Sequence, residues 1–551
     1  MGNDALNTAQ LLVKCLENEG VRYIFGIPGE ENLAVIDALR NSKIKMIITR
    51  HEQGAAFMAD VYGRLTGAAG VCLATLGPGA TNLVTGVADA SGDGAPLVAI
   101  TGQVGTERMH LTSHQYLDLT KMFEPITKRT KLVVRPDTIG EIVRLAFKYA
   151  EGERPGATHI DLPDNISRMP VPDGEKPLKR VEQPKEYADI PSIEAAAAEI
   201  FKSTNPVVLA GSCAVRDNAS AALTAFAEAL RIPVINTMMA KGIVPSNCKY
   251  AMMTIGIPQK DYANKIIAEA DLVIAVGYDL VEYSPSQWNP DGAIKIVGIG
   301  TRPAHINKRY QCKVEVVGDI SKSLEMISSY TDRNTEPKHA LEIKAKFKQE
   351  QNAYADDQSF PVKPQRIICD VRKVMGKDDI LVSDVGAHKM WIARLYDCYK
   401  PNTCIISNGF ATMGIGLPGA IAAKLVYPRK KVLAVVGDGG FMMNVQELET
   451  AVRLKLPIVV LIFRDSSYGL IKWKQMDQYD YSSCVDFTNP DFVKLAEAMY
   501  CKGYRVEKAD DLAPMLREAF GQQVPCVIDC EVDYSENVKL SKHLREVLGE
   551  G

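Results

Sequence analysis

Two aspartates and a run of glycines predict a site for a metal ion and a diphosphate in the last third of the chain. Asp438 lies in Gly437-Asp438-Gly439-Gly440 after the apolar run VLAVV, and Asp465 follows the apolar run IVVLIF 27 residues later. In a parallel βαβ unit, the carboxyl ends of neighbouring strands lie side by side at the edge where ligands bind. Carboxylates suit a hard cation such as Mg²⁺, and glycine N–H groups that open a helix suit a diphosphate. A surface turn with an ordinary helix cap is the plainer alternative.

A third carboxylate, Glu52, follows the apolar run KMIIT and precedes a helical stretch rich in Ala, Phe and Met. The helix dipole stabilises a carboxylate at a helix N-terminus, so a capping charge is one interpretation. The other interpretation is a carboxyl group in an apolar cleft, where it shares a proton with a basic nitrogen of a ligand.

Polar groups also follow two further predicted strands. TLGPGATN, residues 75–82, has the order strand, glycine loop, helix, but it lacks the lysine and the spacing of a P-loop. LVSDVGAHKMW, residues 381–391, ends a strand with Gly386 and His388 and fits a further contact to a diphosphate. Taken alone, the first segment is weak evidence for an anion-binding loop, and tight backbone packing is the alternative.

Two other segments carry candidate residues whose roles stay open. SHQYLDL contains His114 and Gln115, and a lone histidine is more often a structural residue than a ligand. The glycines around Met413, in GFATMGIGLPGA, do not follow a strand in the order of a dinucleotide fingerprint. Met413 itself is either a core residue or a prop for a ligand.

The elements that must position these residues alternate between apolar strands and helices. The strand-like runs are VRYIFGI, KMIIT, VCLATLG, PLVAITG and ATHIDL in the first third, and PVVLAG, PVINT, LVIAVG, IKIVGIG and VEVVGD in the middle. Helical patterns lie between them, which indicates parallel α/β sheets. At 551 residues the chain is too long for one core. We predict an α/β protein with three doubly wound parallel-sheet domains.

Proline-rich and charged segments predict the boundaries of these domains. We expect an N-terminal domain at 1–168, a linker at 169–190, a central domain at 191–335, a second linker at 336–360, a third domain at 361–535 and a polar helical tail at 536–551.

The first and third predicted domains resemble each other in sequence pattern. Each has a strand, a glycine loop, a helix and a second strand led by proline, with similar separations between Gly77 and Pro96 and between Gly437 and Pro457. Shared α/β architecture alone explains such a pattern, and so does a duplicated fold with one diverged copy. The second explanation places a two-sided ligand between unlike halves.

Composition excludes several classes of protein. The net charge of −3 gives no support for binding to nucleic acid or to a membrane surface. The twelve cysteines form no CxxC pair, which favours reduced thiols in a cytoplasmic enzyme over a disulfide framework or a zinc site. No apolar run reaches the ~18 residues of a membrane span, the start of the chain has no signal-peptide pattern, and Leu6 does not fit a myristoylation motif. We expect a cytoplasmic protein with no nucleic-acid or membrane partner.

Together, the segment of Glu52, the GDG motif at Gly437-Asp438-Gly439 and the loop RDSSYG at 464–469 resemble the thiamine-diphosphate-dependent family that includes acetolactate synthase and pyruvate decarboxylase. The resemblance covers about residues 5–535. Asp465 stands where most members carry Asn, a substitution shared with the catabolic acetolactate synthases. Arg464 stands where a first Asn is common. The resemblance implies a pyrimidine-binding first domain, a noncatalytic central domain and a diphosphate-binding third domain.

The resemblance also implies roles for individual residues. Glu52 would hydrogen-bond the aminopyrimidine ring of the cofactor, and Gln115 would face the reacting carbon. Mg²⁺ would be bound by Asp438, Asp465 and the backbone carbonyl of Ser467. Cofactor-binding residues are expected at Pro28, Asn82, Gly386, His388, Met413, Gly437, Gly439, Gly440, Tyr468, Gly469 and Leu470. Substrate contacts are expected at His114, Phe123 and Lys474.

Two segments are similar to the catabolic, FAD-free acetolactate synthases: GYDLVEYSPSQWNP at 277–290 and CEVDYSENVKL at 530–540. FAD is therefore not expected. Lys474 departs from the family, because anabolic members have Trp and catabolic ones often Gln at that position. A cationic Lys474 favours an acceptor carboxylate or indicates a different acceptor.

The activity implied by the resemblance is a thiamine-diphosphate-dependent carboligase. It would decarboxylate pyruvate and join the product to a second pyruvate, giving 2-acetolactate and CO₂. The alternative is another thiamine-diphosphate-dependent 2-oxo acid decarboxylase or carboligase with a different acceptor. A noncatalytic homologue would lack Glu52 or Asp438, and both are present. The resemblance implies 2-oxo acid substrates and a homodimer or homotetramer with active sites between subunits.

Overall fold

The computed structural model describes residues 6–181, 184–257 and 260–548. Residues 1–5 and 258–259 of the predicted first and central domains, 182–183 of the first linker and 549–551 of the tail lie outside the described residues. The chain separates into two compact units. The first unit comprises Met1–Gln183, Gly409–Arg429 and Met443–Leu456, and the second comprises Pro184–Asn408, Lys430–Met442 and Pro457–Gly551.

Three six-stranded sheets form the framework of the described part of the chain, and all of their strand pairs are parallel. The first sheet contains β1 (Tyr23–Gly26), β2 (Lys45–Ile48), β3 (Gly70–Ala74), β4 (Leu97–Gln103), β5 (Arg129–Leu132) and β6 (Ala157–Pro163). The second contains β7 (Pro206–Ala210), β8 (Val234–Asn236), β9 (Ala251–Thr254), β10 (Leu272–Val276), β11 (Lys295–Gly300) and β12 (Val314–Val317). The third contains β13 (Ile380–Ser383), β14 (Cys404–Ile406), β15 (Val432–Gly437), β16 (Val459–Arg464), β17 (Lys502–Arg505) and β18 (Cys526–Glu531).

Helices connect and cover these strands. Up to the end of the second sheet they are α1 (Thr8–Asn18), α2 (Leu33–Leu39), α3 (Glu52–Thr66), α4 (Pro78–Asp93), α5 (Leu119–Phe123), α6 (Ile139–Glu151), α7 (Asp164–Arg168), α8 (Ile190–Lys202), α9 (Ser212–Arg216), α10 (Ser220–Leu230), α11 (Tyr262–Ala268), α12 (Pro285–Trp288) and α13 (Ile320–Ser329). The remaining helices are α14 (Lys338–Ala353), α15 (Pro364–Val374), α16 (Ala387–Leu395), α17 (Gly416–Val426), α18 (Asp438–Met443), α19 (Glu447–Arg453), α20 (Gly469–Tyr479), α21 (Phe492–Ala498), α22 (Leu512–Phe520) and α23 (Ser535–Leu548). No described helix is long and apolar enough to cross a membrane.

The strand orders relate the first sheet to the third and separate both from the second. The first sheet runs β2-β1-β3-β4-β6-β5 and the third runs β14-β13-β15-β16-β18-β17, which is the same order with each strand number increased by twelve. The second sheet runs β12-β11-β10-β7-β8-β9, a different order. The predicted α/β class with three parallel-sheet domains is confirmed, and the shared order supports a duplicated fold for the first and third domains.

The helix that carries Glu52 has clear signals at both ends. His51 caps α3, because its Nδ1 accepts a hydrogen bond from the Gln53 N–H at 3.1 Å. At the other end Gly67 adopts a left-handed conformation with φ of 72°, which favours glycine and stops the helix. Glu52 therefore occupies the first turn of α3, directly after the end of β2.

Candidate active site

Glu52 lies in a nearly closed environment in the first unit. Its side chain is 8% exposed, and its Oε2 accepts a hydrogen bond from Asn82 Nδ2 at 3.0 Å. Asn82 lies on α4, which begins with Pro78 and follows β3. A Cβ atom at Gly79 would stand 3.3 Å from Glu52 Oε1, so α4 approaches the carboxylate closely. Within the described residues no hydrogen bond reaches Oε1, which leaves this oxygen available to a ligand.

The glycine loop before α4 contacts the segment of Gln115. Gly77 has φ of 53°, and a Cβ atom there would lie 2.8 Å from the backbone oxygen of Gln115, so the close approach requires glycine. Gln115 is exposed and has φ of 57°. Pro28 is exposed next to Gly29, where a Cβ atom would collide with Thr75 at 2.4 Å. These contacts bring together residues that follow β1, β3 and β4.

The other two candidates from this region differ from Gln115 in their surroundings. His114 is exposed, as is Gln115. Phe123 is fully buried, and its ring stacks on His159 with 4.0 Å between the ring centroids. The ring of Phe123 is thus engaged in the core of the first domain, and none of the described contacts brings it to Glu52.

The segment that carries Met413 belongs to the first unit and is held on both sides. On one side, Gly409 N donates to Asp93 Oδ1 at 2.5 Å and Thr412 Oγ1 donates to Asp89 Oδ1 at 2.5 Å. On the other side, the carbonyl of Gly414 accepts from Asn444 Nδ2 at 2.9 Å. Met413 is half-buried between these anchors.

Asp438 is the centre of a cluster of polar groups in the second unit. It is 1% exposed at the end of β15. Its Oδ1 accepts one hydrogen bond, from Gly439 N at 2.9 Å, whereas Oδ2 accepts from Asp465 N at 3.1 Å, Ser466 N at 2.7 Å and Asn489 Nδ2 at 2.8 Å. These donors fix the carboxylate and leave Oδ1 with a lone pair for a cation.

Asp465 shares this corner with Asp438. Burial and the charge of Asp438 raise the pKa of Asp465 to about 8, and burial raises the pKa of Asp438 against the pull of its N–H donors. Two carboxylates in such a place repel each other unless a proton or a cation lies between them. Gly469 completes the corner, because a Cβ atom there would lie 2.6 Å from Asp465 Oδ2.

Three of the glycines predicted to line a diphosphate lie close to the side chains of His388 and Asp384. Cβ atoms at Gly386 and Gly437 would stand 2.8 Å and 3.3 Å from the His388 ring, and one at Gly440 would stand 3.1 Å from Asp384. Burial lowers the pKa of His388 to about 3, so the ring is neutral. Its Nε2 is buried and has no hydrogen-bond partner among the described residues. The ring therefore keeps an unused polar atom beside the glycine loop.

The loop after β16 carries the remaining candidates. The ring of Tyr468 would lie 3.0 Å from a Cβ atom at Gly439, and it packs against Phe487 with 5.0 Å between centroids. Ser467 is buried and Leu470 is half-buried. Lys474 is exposed on α20, and within the described residues no ion pair reaches it.

These residues fit a divalent cation with a diphosphate. The two acidic side chains offer hard oxygen ligands and the loop offers backbone groups, which is the donor set that Mg²⁺ takes together with water and phosphate oxygens. The described residues hold no cluster of three or more His, Cys, Asp or Glu side chains suited to a metal. A cation at Asp438 and Asp465 would thus complete its shell with backbone, water and ligand oxygens.

Sequence reasoning missed three contributors to this corner. Asn489 donates to Asp438, yet it lies in an unremarkable loop 51 residues away, so no local signal marks it. Asp384 packs against Gly440 and directly follows β13. Its position as an acid at the end of a predicted strand is a signal that could have identified it. The Tyr534 ring lies 3.3 Å from the Cβ position of Gly469, and burial together with Asp465 raises the pKa of Tyr534 well above its usual value.

Family profiles match all three domains. A profile described as the N-terminal TPP binding domain of thiamine pyrophosphate enzymes matches residues 6–125. The profile of the central domain of these enzymes matches residues 193–327, and that of the C-terminal TPP binding domain matches residues 384–530.

Curated relatives match nearly the whole chain. An acetolactate synthase of Bacillus subtilis is 37% identical over 542 residues, which cover 97% of this chain and 94% of the relative. A probable acetolactate synthase large subunit of Methanocaldococcus jannaschii is 36% identical, with 96% and 92% covered. A catabolic acetolactate synthase of Raoultella terrigena is 36% identical, with 98% of each chain covered.

Proposed function

Because the chain belongs to the thiamine pyrophosphate-dependent acetolactate synthase family, we propose that it condenses two molecules of pyruvate to 2-acetolactate and CO₂. The similarity to acetolactate synthases along almost the entire chain carries this proposal. The retention of Glu52 and Asp438 in buried, hydrogen-bonded settings, and of the half-buried Asp465 beside Asp438, supports a catalytic protein.

We assign the pyrimidine side of the cofactor to the first domain. Glu52 offers a carboxyl oxygen to a ring nitrogen, and the Asn82 amide holds the other oxygen in place. Gln115 and His114 are exposed at the same strand ends, where they are available to a substrate carbonyl or carboxylate. Pro28 and Met413 are assigned to the walls of the cofactor site and Phe123 to the support of the substrate side.

The diphosphate and Mg²⁺ are assigned to the third domain. Asp438, Asp465 and the backbone carbonyl of Ser467 would hold the cation. The diphosphate would lie against Gly386, His388, Gly437, Gly439, Gly440, Tyr468, Gly469 and Leu470. Thiamine diphosphate, when bound, would supply a nucleophilic carbon for the carbonyl of a 2-oxo acid and an electron-poor ring to take up the electron pair left by CO₂. The chain's own part is to exclude water and to hold a proton on Glu52.

Lys474 is assigned to the acceptor. It is exposed and free of ion pairs within the described residues, so its ammonium group is available to the carboxylate of a second 2-oxo acid. A different acceptor is the second candidate, because Lys474 replaces the residues that the family resemblance implies at this position.

Four further features belong to the proposal: the domain boundaries, the assembly, the absence of FAD and the location. The domain boundaries are those predicted from the sequence, with a homodimer or homotetramer as the family resemblance implies; light scattering of the purified protein tests the assembly. FAD is not expected, and a visible absorption spectrum of the purified protein tests this, since flavin bands would contradict it. A cytoplasmic location agrees with twelve free cysteines, nine of them buried.

Product analysis tests the function. Purified protein with pyruvate, Mg²⁺ and thiamine diphosphate should release CO₂ and form acetolactate, which acid converts to acetoin for detection. Acetaldehyde as the sole product would reject the carboligase. A panel of 2-oxo acids and aldehydes offered with pyruvate separates the two candidates, since a preferred acceptor other than pyruvate would favour the second.

A further inference from the structure

Glu447 is a fully buried carboxylate that none of the assigned roles uses. It begins α19 in the first unit and is 0% exposed. Burial raises its pKa, while three hydrogen bonds to the carboxylate oppose that effect. Burying a carboxylate costs free energy unless hydrogen bonds compensate for the lost water. The contacts of Glu447 therefore indicate which part of the fold it stabilises.

The backbone N–H groups of the two residues directly before the Glu52 helix both donate hydrogen bonds to the Glu447 carboxylate. Glu447 Oε1 accepts from Arg50 N at 3.0 Å and from His51 N at 3.1 Å. These N–H groups precede α3 and have no partner inside the helix. Negative charge at a helix N-terminus is also stabilised by the helix dipole. One oxygen atom thus fixes the two residues directly before Glu52.

The carboxylate of Glu447 is itself held in one position. Its Oε2 accepts from Thr450 Oγ1 at 2.7 Å, one turn further along α19. A Cβ atom at Gly54 would lie 2.7 Å from Glu447 Oε1, so the first turn of α3 rests directly on the carboxylate. Any side chain at position 54 would displace it.

Two neighbouring contacts extend the same junction. Asn444 Nδ2 donates to Gln53 Oε1 at 3.1 Å, and Arg453 donates to the carbonyl of Ile48 at the end of β2. The segment 444–453 therefore contacts the chain before, within and after the turn from β2 into α3. Glu447 is the member of this segment that is buried, charged and bonded to the backbone N–H groups of Arg50 and His51.

We propose that Glu447 is a positioning residue for Glu52. It holds the turn between β2 and α3 through two backbone N–H groups, and this sets the direction of the Glu52 carboxylate relative to Asn82. Glu447 acts on the reaction through Glu52 and touches neither substrate nor cofactor. The inference rests on the proposed role of Glu52.

A double-mutant cycle tests this inference. In Glu447→Gln, which keeps the size of the side chain but removes its charge, we expect kcat to fall about tenfold, because small misplacements of a reacting group are costly. The KM for pyruvate and the affinity for thiamine diphosphate should stay within about twofold. In the Glu52→Gln background, Glu447→Gln should cause no further loss, because its effect passes through Glu52.

A second variant and a second measurement separate positioning from folding. Gly54→Ala pushes the carboxylate aside without removing it and should give the same kcat loss, also absent in the Glu52→Gln background. Amide hydrogen exchange at Arg50 and His51 should speed up in both variants while exchange in β4 stays unchanged. Asp332→Ala, at an exposed position outside segment 444–453, is the control and should retain kcat.

The outcomes are distinct. Full activity of Glu447→Gln and Gly54→Ala, or equal losses with and without Glu52→Gln, would overturn the positioning role and leave the proposed function intact. Full activity of Glu52→Gln alone would overturn the positioning role together with the proposed role of Glu52. A loss of kcat in the Asp332→Ala control equal to that in Glu447→Gln would also overturn it, because the loss would then not depend on the turn before α3.

Discussion

The first and third domains share one strand order and carry different chemistry at matched strand ends. The second strand of the first sheet leads to Glu52, whereas the second strand of the third sheet leads to the loop of Met413. The third strand leads to the Gly77 loop in one domain and to Asp438 in the other. The fold thus presents the same edge twice, with a single buried carboxylate on one copy and a pair of carboxylates on the other.

Charge compensation explains why the two edges suit different ligands. Glu52 has a neutral amide partner, Asn82, and keeps one oxygen free for a ligand that shares a proton. Asp438 and Asp465 have N–H donors on one side but no cationic side chain between them, and the pKa of Asp465 rises to about 8 as a result. The first edge therefore suits proton sharing and the second suits a metal ion.

Two further buried acids, on corresponding strands of the first and third domains, also differ in the charge of their partners. Asp161 on β6 has neutral partners, Thr101 Oγ1 at 2.8 Å and Gln103 Nε2 at 3.2 Å, and burial raises its pKa to about 7. Asp529 on β18, the corresponding strand, lies 2.7 Å from Arg464 Nε and 3.3 Å from Arg505 Nε. The first copy of the fold thus buries a protonatable acid where the third copy buries an ion pair.

The largest effect is expected from removing the Asp438 carboxylate at the sheet edge of the third domain. Asp438→Ala removes a carboxylate that four donors fix, and we expect no measurable turnover and no Mg²⁺-dependent binding of thiamine diphosphate. Calorimetric titration with the cofactor in the presence and absence of Mg²⁺ measures this. Asp332→Ala, at an exposed position, is the control. Unchanged cofactor affinity in Asp438→Ala would refute the metal assignment.

Substituting Glu52, at the sheet edge of the first domain, should lower turnover while leaving the affinity for the cofactor unchanged. Glu52→Gln keeps the shape and the contact with Asn82 but cannot hold the proton, so we expect turnover to fall about 10²- to 10³-fold. Cofactor affinity by the same titration should remain close to that of the unmodified protein. A variant that loses binding as severely as Asp438→Ala would contradict the division of roles between the two domains.

The buried acids give a prediction for stability against pH. The pKa of Asp161 is about 7 in the folded protein, whereas an aspartate in an unfolded chain has a pKa of ~3.9. The folded state therefore binds more protons between these values, and this group's contribution to stability falls as pH rises from about 4 to about 7, by up to ~1.4 kcal/mol per pH unit. Above about 7 the dependence ends.

The matched substitutions sharpen this comparison. Asp161→Asn cannot ionise, so urea unfolding between pH 4 and 7 should show a flatter dependence on pH than the unmodified protein. Asp529→Asn breaks a pair with two arginines and should instead lower stability throughout pH 5 to 8 without flattening the curve. Identical pH profiles for Asp161→Asn and the unmodified protein would remove the basis for the contrast.

The smallest effect is expected at the acceptor. Lys474→Gln removes an exposed ammonium group, and we expect KM for the second 2-oxo acid to rise about three- to tenfold while the decarboxylation of the first remains unchanged. Competition between pyruvate and an uncharged aldehyde acceptor provides the measurement. A variant with the same preference for carboxylate acceptors would exclude Lys474 from the acceptor site.

Most strands were predicted, and four of the five missed ones, β5, β9, β14 and β17, lie at sheet edges, whereas the fifth, β18, is an interior strand. Buried runs such as β3 and β4 are continuously apolar because both faces are covered. β5 and β17, with the sequences RTKL and KGYR, lie at sheet edges and are partly exposed, so no apolar run marks them. β9, AMMT, is an edge strand in the second sheet and lies outside the apolar runs identified in the sequence.

The sequence by itself determined the α/β class and the acids and glycines at the strand ends, because these follow from local apolar runs and from glycine placement. Only the tertiary structure decided which groups meet. Asn82 reaches Glu52 from 30 residues away, Asn489 reaches Asp438 from 51, and Glu447 holds His51 from 396. No local pattern encodes such contacts, since they depend on how strands and helices stack after the chain has folded. The carboxylates at the two matched edges were therefore visible in the sequence, and their partners were not.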